Sequence, residues 1–403
     1  MPEETMSATA KAHGMDGTLV EPDWTPLTLP ELRTLLREFP SAGQPIGILS
    51  VSPRPFSAAG MVQTSRGPVF VKRHHRRVRN REGLLEEHRF LAHLLARGAP
   101  VPRVFASASG HTAIEDGEWT YEVHEAAAGV DLYRDALSWT PFRCARHACA
   151  AGRSLAQLHR FAQGFDAPRR KVRPLVAGFT IFAAADPAAE MERYLSARPA
   201  LAAHQAVLAC AAQALDLLAP FHARLAPLLP ALAPLWTHND LHASNLLWSD
   251  AGEDAHATAI IDFGLADRTN AVHDIAHAIE RNVVEWISLV ERPARPPARL
   301  PANPEDVPVH FDHLHALLDG YESVRPLEEA EAAALAPITA LCHAEFALSE
   351  SDYFLGVLRA EDRAPMAYDG WLVGHARWFR GPAGRKLLDA IDGWADARAK
   401  ASP

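Results

Sequence analysis

The hydrophobic pattern of this 403-residue chain changes character along its length. Residues 1–24 show no periodicity and are rich in small and polar side chains, which predicts a disordered tail. PELRTLLREF (residues 30–39) predicts a short helix with proline at its start. Three short segments rich in Val, Ile and Phe follow, at residues 46–52, 58–64 and 68–74. Turn residues separate them, which predicts three antiparallel strands. From Gly83 to Gly98 the leucines and Phe90 recur every three or four residues, and a glycine closes the run, so a helix is expected. APVPRVFAS (residues 99–107) and EWTYEVHE (residues 118–125) return to strand character.

After Gly129 the pattern is mainly helical. Residues 144–165 and 204–233 read as long helices. SNLLW (residues 244–248) and ATAIID (residues 257–262) interrupt it as two short strands joined by a turn rich in Asp and Gly. A tract with six prolines, residues 291–308, must be a loop, because proline removes helix donors. The expected class is α+β, with a disordered tail at 1–24, a sheet with one long helix at 25–125, and a larger helical region at 126–403.

Composition narrows this picture. Hydrophobic residues make up 48% and charged residues 22%, as in ordinary soluble domains. A net charge of -9 argues against a general nucleic-acid binder. The basic run KRHHRRVRNR (residues 72–81) is read as a solvated turn rather than a nucleic-acid patch. The four cysteines form no CxxC pair and suit free thiols in a reducing compartment. The first residues lack the apolar core of a secretory signal, and no uninterrupted apolar run of about 18 residues exists. These features lead to the expectation of a cytoplasmic protein without a membrane partner.

The chemistry concentrates in WTHNDLHASNLLW (residues 236–248). A zinc cage on His238, Asp240 and His242 is one reading, but no glutamate follows His238 to make HExxH, and Asn239 and Ser244 favour turns. A purely structural patch would need partners for every polar side chain. A catalytic loop explains more. Asp240 can take a proton from a hydroxyl, Asn245 offers a neutral oxygen to a hard cation, and Asp262, in AIIDFG, supplies the carboxylate such a cation also needs. Lys72 on a strand supplies a positive charge for nucleotide phosphates, and Glu86 or Glu87 on the next helix can steady it.

The set VFVKR, LLEEH, HNDLHASN and AIIDFG, in this order, resembles the aminoglycoside phosphotransferase and choline kinase family, over about residues 45–380. The resemblance implies a bilobal protein-kinase-like fold and transfer of a phosphoryl group from ATP, with Mg2+, to a small-molecule hydroxyl. It implies Asp240 as base, Asn245 and Asp262 as magnesium ligands, and Lys72 on the nucleotide phosphates with Glu87 as its pairing residue. His238 and Asp274 would brace the catalytic loop. A hinge in YEVHEAAAG would place the carbonyl of Glu125 and the amide of Ala127 on the adenine. Where protein kinases carry a glycine-rich loop this chain has SPRPFSAAG, so Ser57 is the candidate to donate a hydroxyl or amide hydrogen bond to the phosphates there. A protein Ser/Thr kinase and a nucleotide-binding module without turnover are the alternatives on the same fold. For the acceptor, the acids and aromatics of the later helices are candidates: Glu280, Glu285, Asp319, Glu322, Glu350, Asp352, Trp286 and Tyr353.

Overall fold

A computed structural model describes residues 12–13, 19–171, 174–286 and 307–401. The chain divides into two compact units, Met1–Leu85 with Arg103–Ala126, and Glu86–Pro102 with Ala127–Pro403.

The first unit is built on an antiparallel sheet. Helix α1 (Leu29–Leu35) precedes strands β1 (Pro45–Val51), β2 (Ala58–Thr64) and β3 (Gly67–His75). Strands β4 (Ala113–Asp116) and β5 (Trp119–Glu125) complete it, in the order β1-β2-β3-β5-β4. Thr28 caps α1 in a reciprocal capping box with Glu31. Leu32, Leu36 and Phe39 then pack on Val62, Val69, Val71 and Val123, burying the inward face of the alternating strands. Lys72 lies in β3 opposite Ala59 and Glu122, and it is largely buried. Ser57 directly precedes β2, and Glu125 ends β5.

Several expectations need correction here. APVPRVFAS forms no strand. Only Val104 makes an isolated bridge, to His124, because its two prolines remove ladder donors. The tail is not wholly without structure, since Ala12–His13 pairs with Leu19–Val20. Trp24 also stacks on His75 with ring centroids 4.9 Å apart. The basic run is not simply solvated. Arg73 is buried against Glu31 at 2.6 Å, and Arg79 is buried as well. Both arginines belong to the packing of this unit, and within the run Arg76 and Arg77 are the exposed residues.

Helix α2 (Arg81–Ala96) continues from the first unit into the second. The second unit then runs through helices α3 (Ala145–Ala162), α4 (Pro187–Ser196) and α5 (Gln205–Leu225). Strand β6 (Pro234–Thr237) follows, which the helical reading of residues 204–233 did not anticipate. Strands β7 (Leu246–Trp248), β8 (Ala257–Ile260) and β9 (Asp267–Asn270) form two small ladders, β7 with β8 and β6 with β9. Helices α6 (Ala271–Val283), α7 (Phe311–Glu322), α8 (Glu329–Leu341) and α9 (His343–Asp352) come next. Helices α10 (His375–Arg380) and α11 (Pro382–Ala401) end the chain.

Helices α3 and α7 approach closely because each presents a glycine at the crossing. A Cβ on Gly152 would lie 2.0 Å from the Leu317 carbonyl oxygen, and one on Gly320 would lie 2.2 Å from that of Cys149. The proline-rich tract falls outside the described residues except at its end. The four cysteines are free, as expected. Among the described residues, two helical stretches are long and apolar enough to cross a membrane, Gln205–Leu225 and Glu329–Leu358, and the second is almost wholly buried inside the protein.

Candidate active site

The site of the second unit is two loops stitched together. The loop from His238 to Asn245 leaves β6 and enters β7, and the loop from Ile261 to Ala266 leaves β8 and enters β9. Since β7 pairs with β8 and β6 with β9, the ladders bring both loops to one end. The Ile261 amide donates to the Asn245 carbonyl at 3.0 Å, and His238 Nε2 donates to the Ile261 carbonyl at 2.9 Å. Asp262 therefore sits beside Asn245, as the sequence reading requires. The Phe263 ring packs edge-on against His238, with centroids 4.6 Å apart.

Each loop contains one strained residue. Asn239 has φ 59° and Asp262 has φ 61°. Left-handed backbone is unusual outside glycine, although Asn and Asp tolerate it best. Asn239 is held there by its side chain: its Oδ1 accepts from the Thr237 hydroxyl at 2.9 Å, the Thr269 hydroxyl at 3.2 Å and His273 Nδ1 at 3.1 Å.

The support is a buried carboxylate. Asp274, at the start of α6, accepts from the backbone amides of His238 and Asn239, both at 2.8 Å, and from His159 Nε2 at 3.0 Å. His159 Nδ1 in turn accepts from the Tyr321 hydroxyl at 2.7 Å. The close crossing of α3 and α7 places that histidine and tyrosine together. Burial pushes the Asp274 pKa up, but His159, by hydrogen bond and charge, and His238 outweigh it and hold the carboxyl down at about 2. His238 is fully buried and its pKa is lowered, first by burial, against the opposing pull of Asp274. Its Nδ1 accepts from the Asp240 amide at 3.2 Å. Both ring nitrogens are thus occupied by the loop, which removes His238 from the zinc reading. His238 and Asp274 both bond the backbone of the loop.

Asp240 is fixed at both oxygens. Arg281 contacts its Oδ1, and Asn245 Nδ2 donates to its Oδ2 at 3.3 Å and to its backbone carbonyl at 2.9 Å. The carboxylate keeps 16% of its surface exposed, while Arg281 is fully buried. Burial lowers the Arg281 pKa to about 9, opposed by Cys342 and Glu350, so the guanidinium stays charged at neutral pH. Its charge lies 5.1 Å from the Trp139 ring centroid and 5.0 Å from that of Phe346. Next to it in α6, Asn282 accepts from the Ala243 amide at 3.0 Å and donates to the Leu241 carbonyl at 2.9 Å. His242 is packed, with Nδ1 on the Ser244 hydroxyl at 2.9 Å.

The Asp262 loop has its own clamp. Arg170 donates to the Gly264 carbonyl at 2.9 Å and to Glu87 Oε2 at 3.1 Å, with Arg170 and Glu87 both buried. Glu87, expected as the partner of Lys72, thus engages Arg170. The residues present suit a hard cation. With the Asn245 amide nitrogen turned onto Asp240, its carbonyl oxygen remains to face a metal alongside the Asp262 carboxylate. Glu125 ends β5 in the first unit, and Ala127 is the first residue of the second unit's longer segment, Ala127–Pro403.

Of the acceptor candidates, some are structural. On the helix that carries Glu350 and Asp352, Glu345 accepts from the amides of Thr180 and Ile181, the latter at 2.6 Å. Asp319 bonds Trp394 at 2.8 Å, Glu322 bonds Arg398 at 2.5 Å, and Asp352 lies 3.8 Å from Arg198. Glu280 and Glu350 differ, being fully buried close to Arg281. Sequence reading missed Arg281, Asn282, His159, Arg170 and Trp139. Arg281 and Asn282 lie in the last turn of α6, all 13 residues of which are buried. Nothing in their spacing marks them, because a charged residue on a helix is more often solvated.

Residues 60–327 match the model of the phosphotransferase enzyme family. A homoserine kinase from Xanthobacter autotrophicus is 31% identical over 276 residues, covering 68% of this chain and 70% of its own length. Among solved structures, a microcompartment-associated aminopropanol kinase aligns over 89% of this chain and 98% of its own, at 18% identity and a TM-score of 0.55. A structure of amicoumacin kinase with AMP-PNP, Ca2+ and Ami aligns over 86% and 92%, at 14% identity and a TM-score of 0.50. These likenesses carry the fold, which is the expected α+β protein-kinase-like one.

Proposed function

Because the chain belongs to the phosphotransferase enzyme family, we propose that it is a small-molecule kinase that phosphorylates an alcohol, with Asp240 as the proton acceptor. One observation carries this reading. Asp240 is the carboxylate whose two oxygens are both oriented, by Arg281 and Asn245, while part of its surface stays accessible. A carboxylate oxygen has two lone pairs, so each keeps one for a substrate hydroxyl. Arg281 and Asn245 fix the rotamer, and Asp274 with Asn282 fixes the loop that carries it.

ATP is the proposed donor, and MgATP when bound supplies the phosphoryl group and the cation that neutralises its charge. Asn245 and Asp262 are the proposed holders of that cation, Lys72 of the phosphates, with Ser57 and the backbone of Glu125 and Ala127 as further nucleotide contacts. Asp240 accepts the proton from the acceptor hydroxyl at one of its carboxylate oxygens. His238 and Asp274 move no proton, since each already bonds the loop backbone. The related homoserine and aminopropanol kinases both take a small hydroxyl compound bearing an amine, which makes such compounds the first acceptors to try.

The test is ADP release from MgATP across homoserine, aminopropanol, choline, aminoglycosides, simple sugars and a generic protein. Turnover with one small alcohol, reduced by a factor of about 10^2–10^4 in Asp240→Asn while MgATP binding persists, is the expected result. Phosphate appearing only on protein would replace the acceptor class. Binding of MgATP with no turnover on any acceptor would favour a regulatory module, and absence of MgATP binding would sink the kinase reading.

A further inference from the structure

Behind Asp240 lies a second group of ligand-type side chains that the phosphotransfer reading does not use. Glu280 in α6, His343 at the start of α9 and His375 at the start of α10 come from three separate helices and converge. Glu280 Oε1 lies 3.4 Å from His343 Nδ1 and 3.6 Å from His375 Nδ1. One ligand atom from each of the three falls within 4.8 Å of the others, and all three residues are buried. None of these atoms makes a hydrogen bond.

We propose that Glu280, His343 and His375 form a binding site for a transition-metal dication of the zinc class, separate from the magnesium position at Asn245 and Asp262. With metal–ligand bonds of about 2.0–2.1 Å, the edge of a tetrahedron is about 3.3 Å. The two His–Glu separations match that edge, whereas they are too long or too bent for hydrogen bonds. Two imidazoles and one carboxylate are a donor set that zinc takes, leaving a fourth position open, and imidazole disfavours magnesium.

Electrostatics supports the same occupant. Asp240, Glu280 and Glu350 surround one guanidinium, that of Arg281, and burial raises the Glu280 and Glu350 carboxyls above their ordinary values, so their ionised forms lack sufficient positive charge in this buried place. A bound dication would supply it and favour the ionised, ligating form of Glu280. Burial also drives the histidines well below their ordinary pKa, so His343 and His375 are neutral, which is the ligating form. The rings are positioned by packing rather than by hydrogen bonds. The His375 centroid is 3.9 Å from that of Trp286, and the His343 centroid is 4.2 Å from that of His375. Without an ion, each of these buried polar groups would bear its own desolvation cost of about 1–3 kcal/mol.

The test is a cobalt titration of the full chain, first stripped with a chelator and then held in excess Mg2+ to saturate the magnesium position. The expected result is one Co2+ per chain with the strong visible absorption of a low-coordinate site. That absorption should vanish in His343→Ala and in His375→Ala and persist in Asp262→Asn. Should an alanine variant lose its circular dichroism, Glu280→Gln takes its place. Separately, Zn2+ should raise the melting temperature of the wild type and not of the variants. Absence of the cobalt absorption, or its survival in both histidine variants, would overturn the proposal. So would its loss in Asp262→Asn alone. A cluster that binds no metal but whose tryptophan fluorescence responds to an amine-bearing acceptor would also overturn it, assigning these side chains to the acceptor instead. None of these outcomes depends on turnover, so failure here leaves the kinase reading standing.

Discussion

Helix α6 serves two buried polar regions that look alike in sequence and differ in physics. At its start, Asp274 gathers two backbone amides and His159, and every polar atom of that triad has a hydrogen-bond partner. One turn from its end, Glu280 and Arg281 face His343, His375 and Glu350 in a region where hydrogen bonds are missing. Full hydrogen bonding marks machinery that is complete as folded. Buried ligand-type atoms without partners mark a place that needs something added. The predictions that follow either strengthen or remove this distinction.

The largest effect belongs to the satisfied end. Asp274→Ala strips the acceptor from three buried donors and should lower stability by about 3–5 kcal/mol in denaturant unfolding, with loss of turnover. Its pH dependence has a definite sign. The folded carboxyl titrates at about 2, below its ordinary value of 3.8. Its contribution is therefore complete above 3.8 and disappears as pH falls toward 2. That difference is worth about 2.5 kcal/mol. The gap between wild type and Asp274→Ala should narrow over this window, and a gap unchanged from pH 6 to pH 2.5 would contradict the assignment.

Asn282→Ala comes next. It leaves the Ala243 amide and the Leu241 carbonyl without partners inside the protein, a cost of about 1–3 kcal/mol. Because those groups flank His242, the loop that carries Asp240, the proposed base, loosens. The expected kinetic signature is a lower kcat with little change in the KM for MgATP. A variant that loses stability but keeps kcat would make Asn282 a packing residue only.

Glu350→Gln tests the other end, and its effect should have the opposite sign. Burial holds the Glu350 carboxyl well above its ordinary range, first by desolvation, with Glu280 adding to it and Arg281 opposing. A raised carboxyl pKa means that the stabilising contribution exists at low pH and is lost as pH rises through the folded-state value. At pH 8 the ionised form is therefore a burden, and its removal should raise stability by about 1 kcal/mol. The gain should shrink on acidification, as the wild-type carboxyl takes up its proton. Destabilisation at pH 8 would show that Arg281 depends on Glu350 more than the excess of carboxylates suggests.

This contrast also explains what the sequence made legible. Lys72, Asp240, Asn245 and Asp262 stand at spacings set by local geometry. A strand, a turn and a short hairpin carry them, so a linear reading can single them out as candidates. The three antiparallel strands and helix α2 were readable for the same reason, as period-2 and period-3.6 patterns over short spans. Strand β6 was not, because four residues between a helix and a polar loop carry too little alternation. Glu280, His343 and His375 lie on three helices far apart in the chain, and their meeting depends on tertiary packing alone. Their residue types invite a solvated reading, and only burial separates Glu280 and Glu350 from Asp319 and Glu322.

The smallest effect concerns the clamp on the Asp262 loop. Arg170 joins Glu87 to the Gly264 carbonyl, both within one buried ion-pair network. Glu87→Gln retains the shape and one acceptor but weakens a charge-assisted bond, so a loss of about 1 kcal/mol is expected. Functionally the two glutamates of LLEEH can be told apart. If Glu87 acts through Arg170 on the Asp262 loop, its substitution should weaken the Mg2+ dependence of turnover more than the KM for ATP. Glu86→Gln should then show the reverse, as expected of a glutamate that steadies Lys72 in its proposed role on the phosphates. Equal Mg2+ dependence in the two variants would return Glu87 to the role of partner for Lys72 and leave Arg170 as a packing residue.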